Sequence, residues 1–126
     1  MNPLVKPIMH LVDTDFTSSG NLKSSLLKLP VIVMFQTSWC GACKTAKPHF
    51  QMFANMSNDL GQWKCMTVQG DGELMSERNI MNRIKSIYPN FKGYPSYMLF
   101  KPNGEKISHT GGLNQKQLQS FVMKNI

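Results

Sequence analysis

The tightest constraint on this chain is an apolar run that ends in a pair of cysteines. Val31-Ile32-Val33-Met34-Phe35-Gln36 is β-branched and aromatic without polar alternation, the pattern of a strand covered on both faces. It leads into Trp39-Cys40-Gly41-Ala42-Cys43, after which Ala46, Phe50 and Phe53 recur at helical spacing toward about Leu60. A buried strand that delivers two cysteines to the start of an amphipathic helix is compatible with few architectures.

The remaining elements fall around that core. Ile8 to Val12 reads as a first strand, and Leu22, Leu26 and Leu29 recur at helical spacing until Pro30 stops the pattern. Pro48 is expected to kink the helix that follows the cysteines. Trp63 to Gln69 reads as a strand, the Gly70-Asp71-Gly72 loop precedes a helix with Ile80, Ile84, Ile87 and Tyr88 on one face, and the pattern changes past Pro89. There, Ser96 to Phe100 and Glu105 to Thr110 are separated only by Lys101-Pro102-Asn103-Gly104, so they should pair antiparallel. A last helix, capped by Asn114, carries Leu118, Phe121 and Val122 inward. The sum is an α/β fold, βαβαβαββα, with a mixed central sheet and helices on both faces.

A length of 126 residues fits a single domain, 1–126, with 1–7 as a loose N-terminal extension. The composition is 41% hydrophobic and 17% charged, which argues against disorder, and no apolar run approaches the ~18 residues of a membrane span. The formal charge of +7 is scattered from Lys6 to Lys124 rather than clustered, so neither nucleic acid nor membrane is expected as a partner. The ten methionines are read as core fillers. The N-terminal residues show no positive patch followed by a long apolar stretch, and the expected compartment is a reducing, cytoplasmic one.

Three cysteines, Cys40, Cys43 and Cys65, are too few and too uneven for a structural disulfide framework. Disulfide exchange needs a thiolate, and a free cysteine with a pKa near ~8.5 supplies little at neutral pH. At the start of a helix, unpaired amides and the positive end of the helix dipole favour the anion, which makes Cys40 the attacking group. Cys43, one turn further and more enclosed, is placed to resolve a mixed disulfide on Cys40. Lys44 and Lys47 should add only a small favourable potential because solvent screens them. Cys65, on a strand, reads as a small buried hydrophobe.

The same spacing is half of a tetrahedral zinc site, but a second pair of ligands is missing: Cys65 stands alone, and His10, His49 and His109 are dispersed. Neither a metal nor another cofactor is expected.

Trp39-Cys40-Gly41-Ala42-Cys43-Lys44, Pro48 five residues after Cys43, Gly93-Tyr94-Pro95-Ser96 before a strand, and Gly111-Gly112 together resemble the thioredoxin family. The resemblance runs from about residue 8 to the end. Trp39 and Gly93-Tyr94-Pro95 are also similar to the domains of protein disulfide isomerases. The resemblance implies the thioredoxin fold, Cys40 as nucleophile, Cys43 as resolving cysteine, and Pro95 in a cis peptide beside the sulfurs. It implies that Trp39, Gly41, Ala42, Tyr94 and Pro95 meet the substrate, the Tyr94 backbone being free to pair with an extended chain.

Two positions depart from the family pattern. Met34 stands where thioredoxins usually carry a buried acid, and Ala42 stands where thioredoxins commonly have Pro and isomerases His. The expected activity is reduction of protein disulfides by a monomer, with disulfide-containing proteins as substrates and a thiol-disulfide electron donor or acceptor as partner. The alternatives are a disulfide oxidase or isomerase, and a binding module that keeps the fold without the exchange.

Overall fold

The computed structural model describes residues 3–126. Five strands form one mixed sheet in the order β1-β3-β2-β4-β5, with β1 at Met9–His10, β2 at Val31–Gln36, β3 at Lys64–Gln69, β4 at Ser96–Phe100 and β5 at Lys106–Thr110. β3 runs parallel to both β1 and β2, whereas β4 is antiparallel to β2 and β5. The sheet is therefore an alternating βαβ half joined to a hairpin, as expected. All six residues of β2 are buried, in keeping with a central strand covered on both faces.

Because successive strand residues point to opposite faces, β2 serves two cores. Ile32 and Met34 pack with Phe50 and Phe53 of α1 (Gly41–Leu60) and with Leu118 and Val122 of α4 (Gln115–Asn125). Val31, Val33 and Phe35 pack on the other face with Phe16, Ile80, Ile87 and Tyr88. The cap expected at Asn114 forms: its side chain accepts from the Gln117 amide at 2.8 Å, and Gln117 returns a bond to the Asn114 amide at 3.0 Å. Phe121 is only partly buried against the core that Leu118 and Val122 enter.

Three expectations are corrected. Residues 22–29 form turns rather than a helix, because Leu22 is held in an isolated bridge to Phe16 and the Lys23 amide donates to the Asp15 carbonyl, which commits this stretch to the preceding loop. The segment after the Gly70 loop is not one helix: it divides into α2 (Met75–Arg78), a 3₁₀ turn (Asn79–Arg83) and α3 (Ile84–Ile87). Asn79 and Asn82 are weak helix formers, and Arg83 leaves the local chain to bond Asp13 and the Thr17 carbonyl. Ile80, Ile87 and Tyr88 still reach the core, with Ile84 packed at its margin.

The third correction concerns the N-terminal extension. Residues 1–2 lie outside the described residues, but 3–7 are tied down: Leu4 is buried in the core, its carbonyl lies 2.7 Å from His10 Nε2, and the Val5 amide donates to Gln51 at 2.8 Å. α1 continues as one helix through Pro48 to Leu60 and ends at Gly61, whose left-handed φ of 67° closes it. No described helix is long and apolar enough to cross a membrane.

Candidate active site

β2 ends at Gln36, and the chain crosses Thr37, Ser38 and Trp39 before Cys40 caps α1. The cap is made by sulfur: Cys40 Sγ accepts the Cys43 backbone amide at 3.1 Å, using one of the four amides that a helix start leaves unpaired. The Cys40 thiol also lies 3.7 Å from the Tyr94 carbonyl, toward which it donates. The Tyr94–Pro95 peptide is cis, as the family resemblance implies, and it sets that carbonyl against the cysteine.

Both cysteines are reduced and buried, but unequally: Cys40 keeps 7% of its surface and Cys43 none. Burial, then the contact with Cys40, pushes the Cys43 thiol up to about 12, against smaller lowering contributions from the Thr37 backbone and Lys47. The enclosed sulfur is thus held as a thiol while its neighbour faces the opening.

The surroundings of Cys40 are aromatic. Trp39 is 69% exposed and stands edge-on to Tyr94, with ring centroids 5.9 Å apart. Tyr94 in turn meets Phe91 at 5.2 Å, and Phe91 leads through Tyr88 to Phe35 in the core. Gly41 and Ala42 are exposed on the first turn of α1. Beside them a groove of about 400 Å³ is lined by Ala42, Thr45, His49, Gly112 and Asn114. Gly112 lies close to both Ala46 and Pro95, and an added Cβ would sit 3.3 Å from the Ala46 methyl. The structure therefore gathers Trp39, Gly41, Ala42, Tyr94 and Pro95 around the cysteine pair.

A family model described as Thioredoxin matches residues 9–124. The chain belongs to the thioredoxin family. It is 31% identical to a thioredoxin-like protein of Invertebrate iridescent virus 6 over 94% of each chain. It is also 31% identical to Thioredoxin-1 of Schizosaccharomyces pombe, over 76% of this chain and 81% of that one. Protein disulfide-isomerase A5 of Bos taurus is 31% identical over 79% of this chain, which spans 16% of the isomerase. The solved structure of chloroplastic thioredoxin z has the same fold, with a TM-score of 0.70 at 15% identity over 97% of this chain and 96% of that one. Thioredoxin-family membership and the adjacent Cys40 and Cys43 thiols give the site the parts of a thiol-disulfide oxidoreductase.

Met34 lies wholly buried in the core against α1, where thioredoxins usually carry an acid. Three contacts of this site leave no mark in the sequence, and a fourth residue, Lys47, departs from its expected place. Asp71 accepts the Ser38 amide at 3.0 Å and also the Ser38 hydroxyl, tying the end of β3 to the segment before Cys40. Burial opposes its ionisation, but the Ser38 and Gln69 hydrogen bonds outweigh this and hold its carboxyl below the ordinary range. Gly70 makes room for the Tyr94 hydroxyl. Phe91 backs Tyr94, although its spacing belongs to no periodic element. Lys47, expected to be screened by solvent, is only 5% exposed; Lys44 is the exposed one. The position of Lys47, one turn past Cys43 and three residues before Phe50 on the buried face of α1, was the available clue.

Proposed function

We propose that this thioredoxin-family protein reduces protein disulfides, with Cys40 as the attacking and Cys43 as the resolving cysteine. In the first step the Cys40 thiolate attacks a substrate disulfide, forming a Cys40–substrate disulfide and releasing one substrate thiolate. Cys43 then loses its proton and attacks Cys40 Sγ, so that the Cys40–Cys43 disulfide forms and the second substrate thiolate departs. Two electrons pass to the substrate, and a separate thiol donor restores the pair. The substrate, read as an extended chain, lies along Trp39, Gly41, Ala42, Tyr94 and Pro95.

The observation that carries the roles is the asymmetry of the pair. Cys40 keeps a small exposed surface and its Sγ accepts the Cys43 amide at 3.1 Å, whereas Cys43 is fully enclosed. A substrate sulfur can reach the first and not the second. Similarity to Protein disulfide-isomerase A5, together with Met34 in place of an acid, favours a second reading in which the pair oxidises or rearranges disulfides.

Replacing Cys43 by Ser should strand substrate proteins on Cys40 as mixed disulfides, and Cys40→Ser should capture none. The reverse result would exchange the two roles. Equilibration of the wild-type pair against glutathione decides the direction. A potential at or below roughly −220 mV supports a reductase, and one near −120 to −180 mV supports the oxidising reading.

A further inference from the structure

The resolving step has a requirement that the fold makes hard to meet. Cys43 must become a thiolate to attack, yet burial and the Cys40 sulfur favour its thiol form. Met34 offers no carboxylate to exchange its proton. The group that faces this problem is Lys47. It sits at i+4 from Cys43 on α1, and Cβ atoms of such pairs are only about 5–6 Å apart. Helical side chains lean toward the N-terminus, so the Lys47 side chain lies over the turn that carries Cys43.

The space around it is defined. The Thr37 backbone favours the Cys43 anion, and the residues on either side of Thr37, Gln36 and Ser38, line a cavity of about 530 Å³ together with Lys47, Gln69, Glu73 and Glu77. Gln36 donates to the Thr67 hydroxyl at 3.1 Å, and its Oε1 is buried with no partner among the described residues, an acceptor available to an ammonium in the same cavity. Among the described residues, no carboxylate oxygen lies within 4 Å of the Lys47 ammonium; Glu77 instead faces His10 at 3.9 Å. A buried lysine left without a direct counter-charge is costly, and its field is far less screened than that of a surface lysine.

We propose that Lys47 is the positioning residue for the Cys43 thiolate, its buried ammonium stabilising the anion that attacks the mixed disulfide on Cys40. This rests on Cys40 attacking and Cys43 resolving. The titratable and charged groups around the pair are Cys40 at the cap of α1, Lys47 on α1, Tyr94 before β4, Tyr97 on β4, and Glu73 and Glu77 across the cavity. In the step itself the Cys43 proton passes to solvent and the Cys43–Cys40 bond forms as the Cys40–substrate bond breaks. The electron pair leaves on the substrate sulfur, which takes a proton from solvent. Lys47 keeps its proton throughout.

The test uses 5,5′-dithiobis(2-nitrobenzoate), which releases one thionitrobenzoate when Cys40 attacks and a second when Cys43 resolves. Lys47→Met retains the apolar stem and removes the charge. It should slow the second release about tenfold at pH 7 and move its pH profile up by about one unit, with the first release unchanged within about twofold. Lys47→Arg should restore the second release, and Lys47→Gln should behave as Lys47→Met. A second release that keeps its rate and pH profile without the charge, an equal slowing of both releases, or failure of Arg to restore would overturn the proposal. Cys43→Ser should release one equivalent and retain the other. If Cys40→Ser does so instead, the assignment of roles fails whatever Lys47 does.

Discussion

The Tyr94 hydroxyl lies against Gly70, so closely that a Cβ at position 70 would overlap Tyr94 Oη and fall 2.8 Å from Cζ. Two loops meet at this point. Gly70 follows β3 and donates its amide to the Gln36 carbonyl at 2.9 Å, and Tyr94 precedes the cis proline and carries the carbonyl that faces Cys40. Gly70→Ala should therefore push the Tyr94 ring out of its edge contacts with Trp39 and Phe91. Such overpacking costs about 1–3 kcal/mol, and displacement of the Tyr94 carbonyl should lower disulfide reduction as well. Urea denaturation and turnover on a protein disulfide measure the two effects. Adding Tyr94→Phe, which removes the clashing oxygen, should recover part of both losses. If the double variant is only the sum of two independent losses, the contact is not the cause.

Much of this arrangement was legible in the sequence. β2, the full length of α1, β4 and the cap at Asn114 fall where continuous apolar runs, helical spacing and a capping residue place them. The cysteine pair was legible as a contiguous motif, and the cis proline only through the resemblance to the thioredoxin family. What escaped depends on long-range pairing. Leu22, Leu26 and Leu29 have a helical spacing that the chain does not use, since Leu22 bridges Phe16 and the amide after it is claimed by Asp15. The Ser38–Asp71 and Gly70–Tyr94 contacts join residues more than twenty positions apart and leave no periodic trace. Lys47 escaped because a lysine is ordinarily counted as surface, although its neighbours on the helix face are Cys43 and Phe50.

Below the site, one hydroxyl joins the end of α1 to the start of β3. Ser57 Oγ accepts the Trp63 indole hydrogen at 2.7 Å and donates to the Phe53 carbonyl at 2.7 Å, while Trp63 stacks on Phe53 at 5.7 Å. Ser57→Ala would leave the buried indole N–H without its acceptor, which costs about 1–3 kcal/mol. Urea denaturation should show a lowered midpoint with the slope unchanged. A midpoint equal to that of the wild type would mean that the indole finds another partner. The cysteine pair is remote from this bond in sequence, so the rate of Cys40 alkylation should stay as in the wild type.

Alkaline pH should weaken the reduced protein in a defined window. Burial pushes Cys65 up to about 12 from 9.0, only slightly opposed by Ser57, and burial with the Cys40 contact does the same to Cys43. Tyr94 and Tyr97 are also raised by burial, to about 12 from 10.0. Between pH 9 and 12 the unfolded chain loses thiol protons that the folded chain retains, so it binds fewer protons and stability falls as pH rises. For Cys65 alone the slope is about 1.4 kcal/mol per pH unit inside the window. Below about pH 8 neither thiol contributes an appreciable slope. Urea denaturation at pH 8, 9, 10 and 10.5 should thus be flat at first and then decline. Cys65→Ala should make the decline shallower by about one proton, and oxidation of the Cys40–Cys43 pair should do so again by removing the Cys43 thiol. A decline of the same steepness in all three forms would mean that the folded chain lets these thiols ionise near their ordinary pH, and hence that burial does not hold Cys43 protonated.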